Sequence, residues 1–260
     1  MTWPTLDLRS DPRGVAYLTL NTPDRRNVLS PQMIAELTEA AHSLGNDPAI
    51  RVVVLAGAGS VFCAGGDLDW MAAQIDADRP QRLREARKLA DMLRALNELP
   101  KPLIGRLHGG AFGGGVGMAA VCDVAIAAVG TRFCFSETRL GIIPATIGPY
   151  VLARMGEGNA RRVFMSARLF NAEEAETLDL VARVVAEPDL EAAIEAEVVP
   201  YLACAPLAVA QAKALARALG PRIDAAVTDD SIRRLADAWE GPEAVKGIRA
   251  FLDKRPPPWQ

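Results

Sequence analysis

The chain has 260 residues, half of them hydrophobic, and carries a formal net charge of −3 at pH 7. This length and composition exclude a disordered chain and fit a protein with a sizeable buried core. The slightly acidic balance provides no basic surface for phosphates, so we expect no nucleic-acid partner.

The first part of the chain alternates strand and helix patterns. VAYLTL (15–20) predicts a strand, and residues 30–44 predict a helix with Ser30 as N-cap and Pro31 at its first position. IRVVVLAG (50–57) is a β-branched run typical of a strand buried on both faces. The later elements are a helix over 79–99, a strand over 103–107, a short apolar helix over about 114–121, and strands over 122–128 and 132–135. This alternation predicts a mainly parallel sheet joined by helical crossovers.

Beyond about residue 157 the strand patterns nearly disappear. The helical patterns there cover 159–167, 171–180, 189–204, 206–220, 224–241 and 242–255. One strand-like segment, VARVVA (181–186), lies between the second and third of them. The chain is therefore predicted to have a core over 1–198 and a helical region over 199–260, whose apolar faces we expect to mediate subunit association.

Two glycine-rich stretches each follow a predicted strand. AGAGSVFCAGGDLDW (56–70) follows one strand, and HGGAFGGGVGM (108–118) follows the next. If these strands are parallel, both stretches lie at the carboxyl ends of the strands, where ligands bind in open α/β sheets. The helix that follows the second stretch begins with free backbone N–H groups that can point at an oxygen atom.

A dinucleotide-binding loop is the alternative interpretation of the second stretch. Gly115, Gly117 and Ala120 formally match the pattern GxGxxA. However, HGGAFGG separates the strand from the match, the helix lasts barely two turns, and the next strand ends without an acidic residue. These departures argue against a dinucleotide fingerprint.

Other catalytic classes lack their residues in this sequence. The two histidines, His42 and His108, are too few for most zinc sites and disfavour a Ser-His-Asp arrangement. Neither a GxSxG nor a GxxxxGK[ST] motif is present. Four cysteines without a CxxC pair predict reduced, mostly buried thiols: Cys63, Cys122, Cys134 and Cys204. With no signal-like N-terminus and no long apolar run, we expect a cytoplasmic protein without membrane segments.

Five motifs, in order along nearly the whole chain, resemble the crotonase superfamily, also called the enoyl-CoA hydratase/isomerase family. The motifs are NTPDRRNVLS, FCAGGDL, HGGAFGGGVGM followed by CD, FSETRLGIIP and AFLDKR. The resemblance implies an α/β crotonase-like fold with a spiral ββα core and a C-terminal helical trimerisation region. It also implies an acyl-CoA thioester as substrate, with coenzyme A as part of that substrate and no separate cofactor or metal.

The resemblance also assigns the residues that hold the thioester. In the family two backbone N–H groups grip the carbonyl oxygen, and the matching residues are Gly66 in CAGGDL and Gly114 in the triple glycine. Such a donor stabilises the charge that develops when a proton moves at the neighbouring carbon, typically by roughly 3 kcal/mol. Further substrate or CoA contacts are expected from Arg26, Ala64, Gly65, Asp67, Leu68, Gly117, Phe251 and Lys254.

The acid–base groups depart from the best-known pattern of the family. Two-carboxylate hydratases have one Glu soon after the triple glycine, as GGGxE, and a second Glu before a GxxP segment. Here GGGVG places Gly117 at the first position, and the second is retained as Glu137 in FSETRLGIIP. The resemblance therefore assigns the proton transfer to Glu137 alone.

One carboxylate is compatible with two reactions and leaves a third function open. Glu137 can orient water for hydration of a 2-enoyl-CoA, or it can move a proton between two carbons and so isomerise the double bond. A catalytically idle acyl-CoA binding protein is the alternative from another class, favoured by Gly117 and disfavoured by the retained Glu137.

The segment PATIGPYV, with GGGVG, is similar to bacterial methylglutaconyl-CoA and isohexenylglutaconyl-CoA hydratases. Their substrates carry a second carboxylate, which needs a cation or hydrogen-bond donor. Arg139 and Arg154 are the candidates, although a solvated or structural role is at least as plausible for either. Hydration of a branched enoyl-CoA such as methylglutaconyl-CoA is the first choice from sequence.

The C-terminal motif bears on CoA binding and assembly. In the family a Lys of the final helix reaches the CoA, often that of the neighbouring subunit, and GIRAFLDKR places Lys254 there with Phe251 against the adenine. Arg26 is the expected contact at the other end of the CoA. The resemblance further implies a homotrimer or a hexamer built as a dimer of trimers.

Overall fold

The computed structural model of the chain describes residues 3–260. The strands within that range are β1 (Leu6–Ser10), β2 (Val15–Leu20), β3 (Val52–Gly57), β4 (Leu103–Leu107), β5 (Gly110–Phe112), β6 (Val124–Ala128), β7 (Arg132–Cys134), β8 (Phe170–Asn171) and β9 (Arg183–Val185). The helices are α1 (Pro31–Asn46), α2 (Leu68–Asp76), α3 (Arg79–Glu98), α4 (Gly114–Val121), α5 (Gly148–Phe164), α6 (Ala172–Thr177), α7 (Leu190–Leu202), α8 (Pro206–Leu219), α9 (Ala225–Glu240) and α10 (Ala244–Leu252).

The strands form a large and a small sheet. The larger has the order β1-β2-β3-β4-β6-β9, and the smaller has the order β5-β7-β8. Neighbours in the larger sheet are parallel, except that β1 is antiparallel to β2. The β-branched strand β3 is buried along almost its whole length, as a parallel sheet covered on both faces requires. The predicted α/β class with a mainly parallel sheet is confirmed.

Helices cover both faces of the larger sheet. One face packs against α1, α3, α4 and α5 in the main hydrophobic core. On the other face, Val54, Ile104 and Ile126 pack with Leu190 and Ile194 of α7. A third apolar cluster joins α3 to α9 and α10. The C-terminal helices α9 and α10 are therefore held against α3.

Strands β3 and β4 bring the two glycine-rich stretches together. They are parallel neighbours, with Val53 paired to Leu103. The segment that follows β3 (58–67, the first glycine loop) and the segment that follows β4 (108–113, the second glycine loop) therefore leave the sheet at the same edge. This is the arrangement that the sequence predicts.

Local sequence sets the start of the helices beside this edge. The Ser30 side chain accepts a hydrogen bond from the Met33 N–H, and Pro31 is the first residue of α1, as predicted. Asp67 caps α2 in the same way through the N–H groups of Asp69 and Trp70. An N-cap of this kind typically stabilises a helix by about 1 kcal/mol.

Several elements differ from the sequence-based expectation. Helix α5 begins at Gly148, eleven residues before the predicted pattern, and is interrupted at Gly156, whose φ of +71° is not helical. Strand β5 is only three residues long and lies inside the glycine cluster, so its conformation depends on pairing with β7. The predicted division between 1–198 and 199–260 falls inside α7 and stays a prediction.

Two global expectations concern cysteines and membrane segments. Cys63, Cys122 and Cys134 are buried free thiols, whereas Cys204 is exposed.

Within residues 3–260 no single helix is long and apolar enough to cross a membrane, although the consecutive segments Glu187–Leu202 and Pro206–Leu219, bent by 105°, meet that criterion as a pair.

Candidate active site

A small cavity of about 80 Å³ lies where the two glycine loops meet. Its wall contains the backbone of Gly66 and Gly114 and the side chain of Glu137. Most of the remaining wall is aliphatic or aromatic and includes Leu29, Trp70, Met71, Leu89, Ile147 and Trp239. The structure thus brings three sequence-predicted site residues together in an apolar enclosure, which we call the acyl cavity.

The two glycine loops are joined backbone to backbone. The Phe112 N–H donates a hydrogen bond of 3.0 Å to the carbonyl oxygen of Cys63, and Cys63 pairs with Ala111 as an isolated parallel bridge. Gly65 has a φ of +90°, and a Cβ there would lie 2.7 Å from the carbonyl oxygen of Phe112. Gly65 is therefore required for loop packing, and this packing places Gly66 beside the second loop.

A third segment, 21–30, packs against the first glycine loop through hydrogen bonds. Asn27 is fully buried, and its amide nitrogen donates to the carbonyl oxygens of Ala58, Val61 and Phe62 at 2.7, 3.0 and 3.2 Å. The Leu29 N–H donates to the carbonyl oxygen of Gly65 at 2.8 Å. Because a buried amide left unpaired would be costly, Asn27 fixes the loop in one position.

The N–H groups of Gly66 and Gly114 are available to a ligand. Gly114 is the first residue of α4, where a backbone N–H has no partner within the helix. Within the described part of the chain, neither N–H donates a hydrogen bond to a backbone carbonyl. Both residues line the acyl cavity, so an oxygen atom bound there could accept from both.

Glu137 supplies the carboxyl group of the acyl cavity. It begins a short 3-10 turn, Glu137–Leu140, and its Oε2 is buried without a hydrogen-bond partner. A Cβ on Gly113 would lie only 3.1 Å from Glu137 Oε1, so the carboxyl lies directly over the second glycine loop. Burial raises the pKa of Glu137 from 4.5 to about 7, offset in part by a backbone hydrogen bond that lowers it.

Gly117 does not line the acyl cavity, and its missing side chain has a steric cause. A Cβ at this position would lie 2.3 Å from Ile147 Cγ2 and 2.9 Å from Ile147 Cβ. Ile147 itself is part of the cavity wall. The space that a Glu would need at position 117 is therefore occupied by Ile147, and the first carboxylate of the two-carboxylate pattern is replaced by an apolar wall.

This packing gives a prediction for Gly117→Glu. We expect the variant to lose stability by about 1–3 kcal/mol through overpacking and to hydrate crotonyl-CoA no faster than the wild type. Thermal unfolding and initial rates measure the two effects, and Gly117→Glu/Ile147→Ala, which clears the space, is the matched control. A stable single variant with increased hydration would contradict the occupied space at this position.

The other predicted residues of the first glycine loop do not line the acyl cavity. The Asp67 carboxylate caps α2 and forms an ion pair of 3.0 Å with Arg25, which the sequence did not single out. Leu68 is exposed, and the Ala64 N–H donates to the carbonyl oxygen of Arg26. These groups shape and brace the loop. The Arg26 residue is exposed beside it.

Neither arginine proposed for a second substrate carboxylate reaches the acyl cavity. Arg139 donates a hydrogen bond of 2.8 Å to the carbonyl oxygen of Ala167. Arg154 donates to the carbonyl oxygens of Ala120, Cys122 and Asp123 at the C-terminal end of α4. The structure therefore corrects the suggested role of both side chains, because each guanidinium is used to satisfy backbone carbonyls.

Phe251 and Lys254 line a separate cavity of about 400 Å³ at the C-terminal end of the chain. Arg139 and Arg255 are also in its wall, so three cationic side chains surround it. Leu140 belongs to the walls of both cavities. The two cavities are thus neighbours that share Leu140 as a wall residue.

A larger groove of about 660 Å³ lies under α8 and contains none of the glycine-loop residues. Lys213 lines it and is paired with Asp123 at 2.7 Å. We place the candidate active site in the acyl cavity instead, because there the N–H groups of Gly66 and Gly114 meet a carboxyl group with a raised pKa.

Sequence reasoning did not single out several residues of the acyl cavity. Trp70 and Trp239 form an edge-to-face pair with ring centroids 6.3 Å apart, and both are in the wall. Glu85 of α3 is also there. Trp70 is the second residue after the CAGGDL motif, and this position is a signal in the sequence. Glu85 and Trp239 reach the cavity only through tertiary packing.

Comparisons with known proteins agree with the family resemblance and with the fold. Residues 10–260 match the family model described as enoyl-CoA hydratase/isomerase. A Thermus thermophilus protein, whose name marks it as a candidate enoyl-CoA hydratase, is 34% identical over 249 residues, covering 94% of this chain and 96% of that protein. The chain also resembles the crystal structure of an enoyl-CoA hydratase from Shewanella pealeana, with a TM-score of 0.81, 34% identity and coverage of 99% and 97%. For the Mycobacterium avium enoyl-CoA hydratase the TM-score is 0.85, with 32% identity and 99% of each chain covered.

Proposed function

The chain belongs to the enoyl-CoA hydratase/isomerase family, and from that premise we propose that it adds water to the double bond of a 2-enoyl-CoA whose acyl group is uncharged. The observation that carries this proposal is the meeting of the Gly66 and Gly114 N–H groups with the enclosed Glu137 carboxyl in one apolar cavity. Such a lyase needs no cofactor beyond the coenzyme A of its substrate.

The two glycine N–H groups are proposed to hold the thioester carbonyl oxygen. When water adds to C3, negative charge moves onto this oxygen as an enolate forms. Fixed backbone donors stabilise that charge without having to reorient, each by roughly 3 kcal/mol. The apolar wall strengthens the interaction because it excludes competing water.

Glu137 is proposed to move the proton in both steps. Its carboxylate accepts a proton from water while the water oxygen bonds to C3 and the π electrons shift toward the carbonyl oxygen. The same carboxyl then returns the proton to C2 as the enolate collapses, which completes the addition of H and OH. A single acid–base residue therefore suffices, and a pKa near 7 leaves both of its forms populated at neutral pH.

The raised pKa of Glu137 predicts a pH-dependent activity. Because the ionised carboxylate must accept the first proton, kcat/KM for hydration should rise with pH and level off above an apparent pKa near 7. Initial rates between pH 5 and 9 measure this profile. A flat profile over that range would remove Glu137 as the titrating base.

The same pKa has a consequence for stability. A carboxyl whose pKa is raised from 4.5 to about 7 in the folded state stabilises the fold fully below pH 4.5, and this contribution is lost as the pH rises through 7. The shift corresponds to about 3 kcal/mol. The Tm of the wild type relative to Glu137→Gln should therefore fall between pH 5 and pH 8, which provides a control that does not depend on turnover.

An uncharged acyl group fits the acyl cavity better than the methylglutaconyl group favoured from sequence. Within residues 3–260, no Lys, Arg or His is part of the cavity wall. A second substrate carboxylate would therefore lack a cation there. Most of the wall is apolar, which favours an acyl chain without a second charge.

Enoyl-CoA isomerisation is the second candidate. The packing of Ile147 against Gly117 favours it, because it leaves no space for the first carboxylate of the two-carboxylate hydratases. In this reaction Glu137 would remove a proton from C2 of a 3-enoyl-CoA and return it to C4. The thioester contacts would be unchanged.

We propose a binding site for coenzyme A at the C-terminal cavity and a subunit interface at α8. Phe251, Lys254 and Arg255 line this cavity and could bind the adenine and phosphates of CoA. Helix α8 buries none of its residues, and Leu207, Leu215 and Leu219 are exposed on it. We propose that this apolar surface is buried between the subunits of a homotrimer or hexamer. We also propose a cytoplasmic location for the protein.

Turnover on a panel of thioesters tests the proposed function. We expect the loss of conjugated-thioester absorbance with crotonyl-CoA to exceed both that with methylglutaconyl-CoA and the conversion of a 3-enoyl-CoA. Fastest turnover of the 3-enoyl-CoA would identify an isomerase. Binding of all three without turnover would instead identify an idle acyl-CoA binding protein.

A further inference from the structure

One acidic side chain in the wall of the acyl cavity has no part in the proposed mechanism. Glu85 lies on α3 and lines the same cavity as Glu137. Its side chain is only 18% exposed, and Glu85 Oε1 accepts a hydrogen bond of 2.7 Å from Lys88 Nζ. Lys88 is 55% exposed and does not line the acyl cavity, so its charge offsets that of Glu85 only in part.

Two arginines near the acyl cavity are directed elsewhere. Arg82 donates from Nε and Nη2 to the carbonyl oxygen of Gln74 near the end of α2, at 3.1 and 3.0 Å. Its guanidinium carbon lies 5.8 Å from the ring centroid of Trp239. Arg139 is bound to the carbonyl oxygen of Ala167. The described wall of the acyl cavity therefore combines two carboxyl groups, from Glu85 and Glu137, with no lining cation.

We propose that Glu85 is a specificity-determining residue that disfavours acyl groups bearing a negative charge, an inference that rests on the proposed acyl-CoA function. A substrate carboxylate in the cavity would lose water and would meet Glu85 and Glu137 instead of a cation. An uncharged acyl group of the same shape would instead pack against the apolar wall. Discrimination by an unfavourable contact of this kind needs no extra affinity for the preferred substrate.

Binding of two saturated thioesters tests this role without turnover. Glutaryl-CoA and 5-methylhexanoyl-CoA differ in having a carboxylate or an isopropyl group at the end of the acyl chain. Isothermal calorimetry gives the ratio of their Kd values. We expect Glu85→Gln to shift this ratio about tenfold in favour of glutaryl-CoA, and the comparison of ratios cancels the different hydrophobicity of the two ligands.

Two further variants make the test specific. Lys88→Met leaves Glu85 in place without its cation, so the ratio of Kd values should shift against glutaryl-CoA. If Glu85→Gln fails to fold, Lys88→Met alone decides whether Glu85 has the proposed role. Glu98→Gln removes the same charge from the last residue of α3, where Glu98 pairs with Arg217 outside the acyl cavity. We expect Glu98→Gln to leave the ratio unchanged.

An unchanged ratio in both Glu85→Gln and Lys88→Met would overturn the role of Glu85, as would an equal shift in Glu98→Gln. If the thioesters bind with the expected ratios but no enoyl-CoA is turned over, the proposed hydration fails while the role of Glu85 is supported. If neither thioester binds the wild type, the acyl site itself is wrong and the inference is overturned with it.

Discussion

Replacing Glu137 by Gln is expected to lower kcat for hydration by about 10³-fold and to leave acyl-CoA affinity within a few-fold. The amide retains the shape of the side chain but cannot accept a proton from water, and general acid–base catalysis typically contributes 10²–10⁴-fold. Within residues 3–260, Glu137 Oε2 is buried without a hydrogen-bond partner, so the substitution breaks no other hydrogen bond of that atom. Initial rates and the Kd of a saturated acyl-CoA separate the two effects.

The control for this substitution is Glu157→Gln. Glu157 is an exposed residue of α5 and is not part of the cavity wall. Glu157→Gln therefore makes the same change in charge outside the site. We expect full activity for Glu157→Gln. If Glu137→Gln retained most of the wild-type rate, Glu137 would not be the base, and the raised pKa would reflect burial without catalysis.

Replacing Gly114 by Pro is expected to lower kcat by about 10²–10³-fold because Pro removes the N–H proposed to hold the enolate oxygen. Pro is accepted at the first position of a helix, which is the position of Gly114 in α4. A Cβ there would nevertheless lie 2.6 Å from Leu29 Cδ1, so some loss arises from packing alone.

Gly114→Ala is the matched variant for Gly114→Pro, because it adds the same Cβ while retaining the N–H. The ratio of kcat between the two variants isolates the contribution of the N–H. Thermal unfolding of each shows that the fold is retained. Equal activities of folded Gly114→Ala and Gly114→Pro would argue against Gly114 as a donor to the thioester.

The sheet beside the cavity could be predicted from sequence because its strands are continuous apolar runs with clear ends. The strands over 15–20 and 103–107 have the predicted bounds, and the parallel pairing of β3 with β4 places both glycine loops at one edge. Strand β5 could not be predicted, since Gly110–Phe112 has no strand pattern and its conformation depends on β7. Short strands of this kind are specified by tertiary contacts.

The site was predictable where a motif fixes the backbone and not where a long side chain selects among partners. Gly66, Gly114 and Glu137 line one cavity, as the motifs imply. The two glycine loops that position Gly66 and Gly114 are joined through a backbone hydrogen bond. Arg139 could have reached the cavity but binds a backbone carbonyl, and Glu85 enters the cavity through the packing of α3. Sequence spacing contains no information on either choice.

The central claim is that Glu137 moves a proton at the carbon beside a thioester held in the acyl cavity. The most direct measurement is turnover of crotonyl-CoA in D₂O with the product analysed by mass spectrometry and NMR. The proposed mechanism predicts 3-hydroxybutyryl-CoA with one deuterium at C2, and no such product from Glu137→Gln. Tight binding of crotonyl-CoA by the wild type, with neither product nor deuterium at any carbon of the acyl chain, would contradict it.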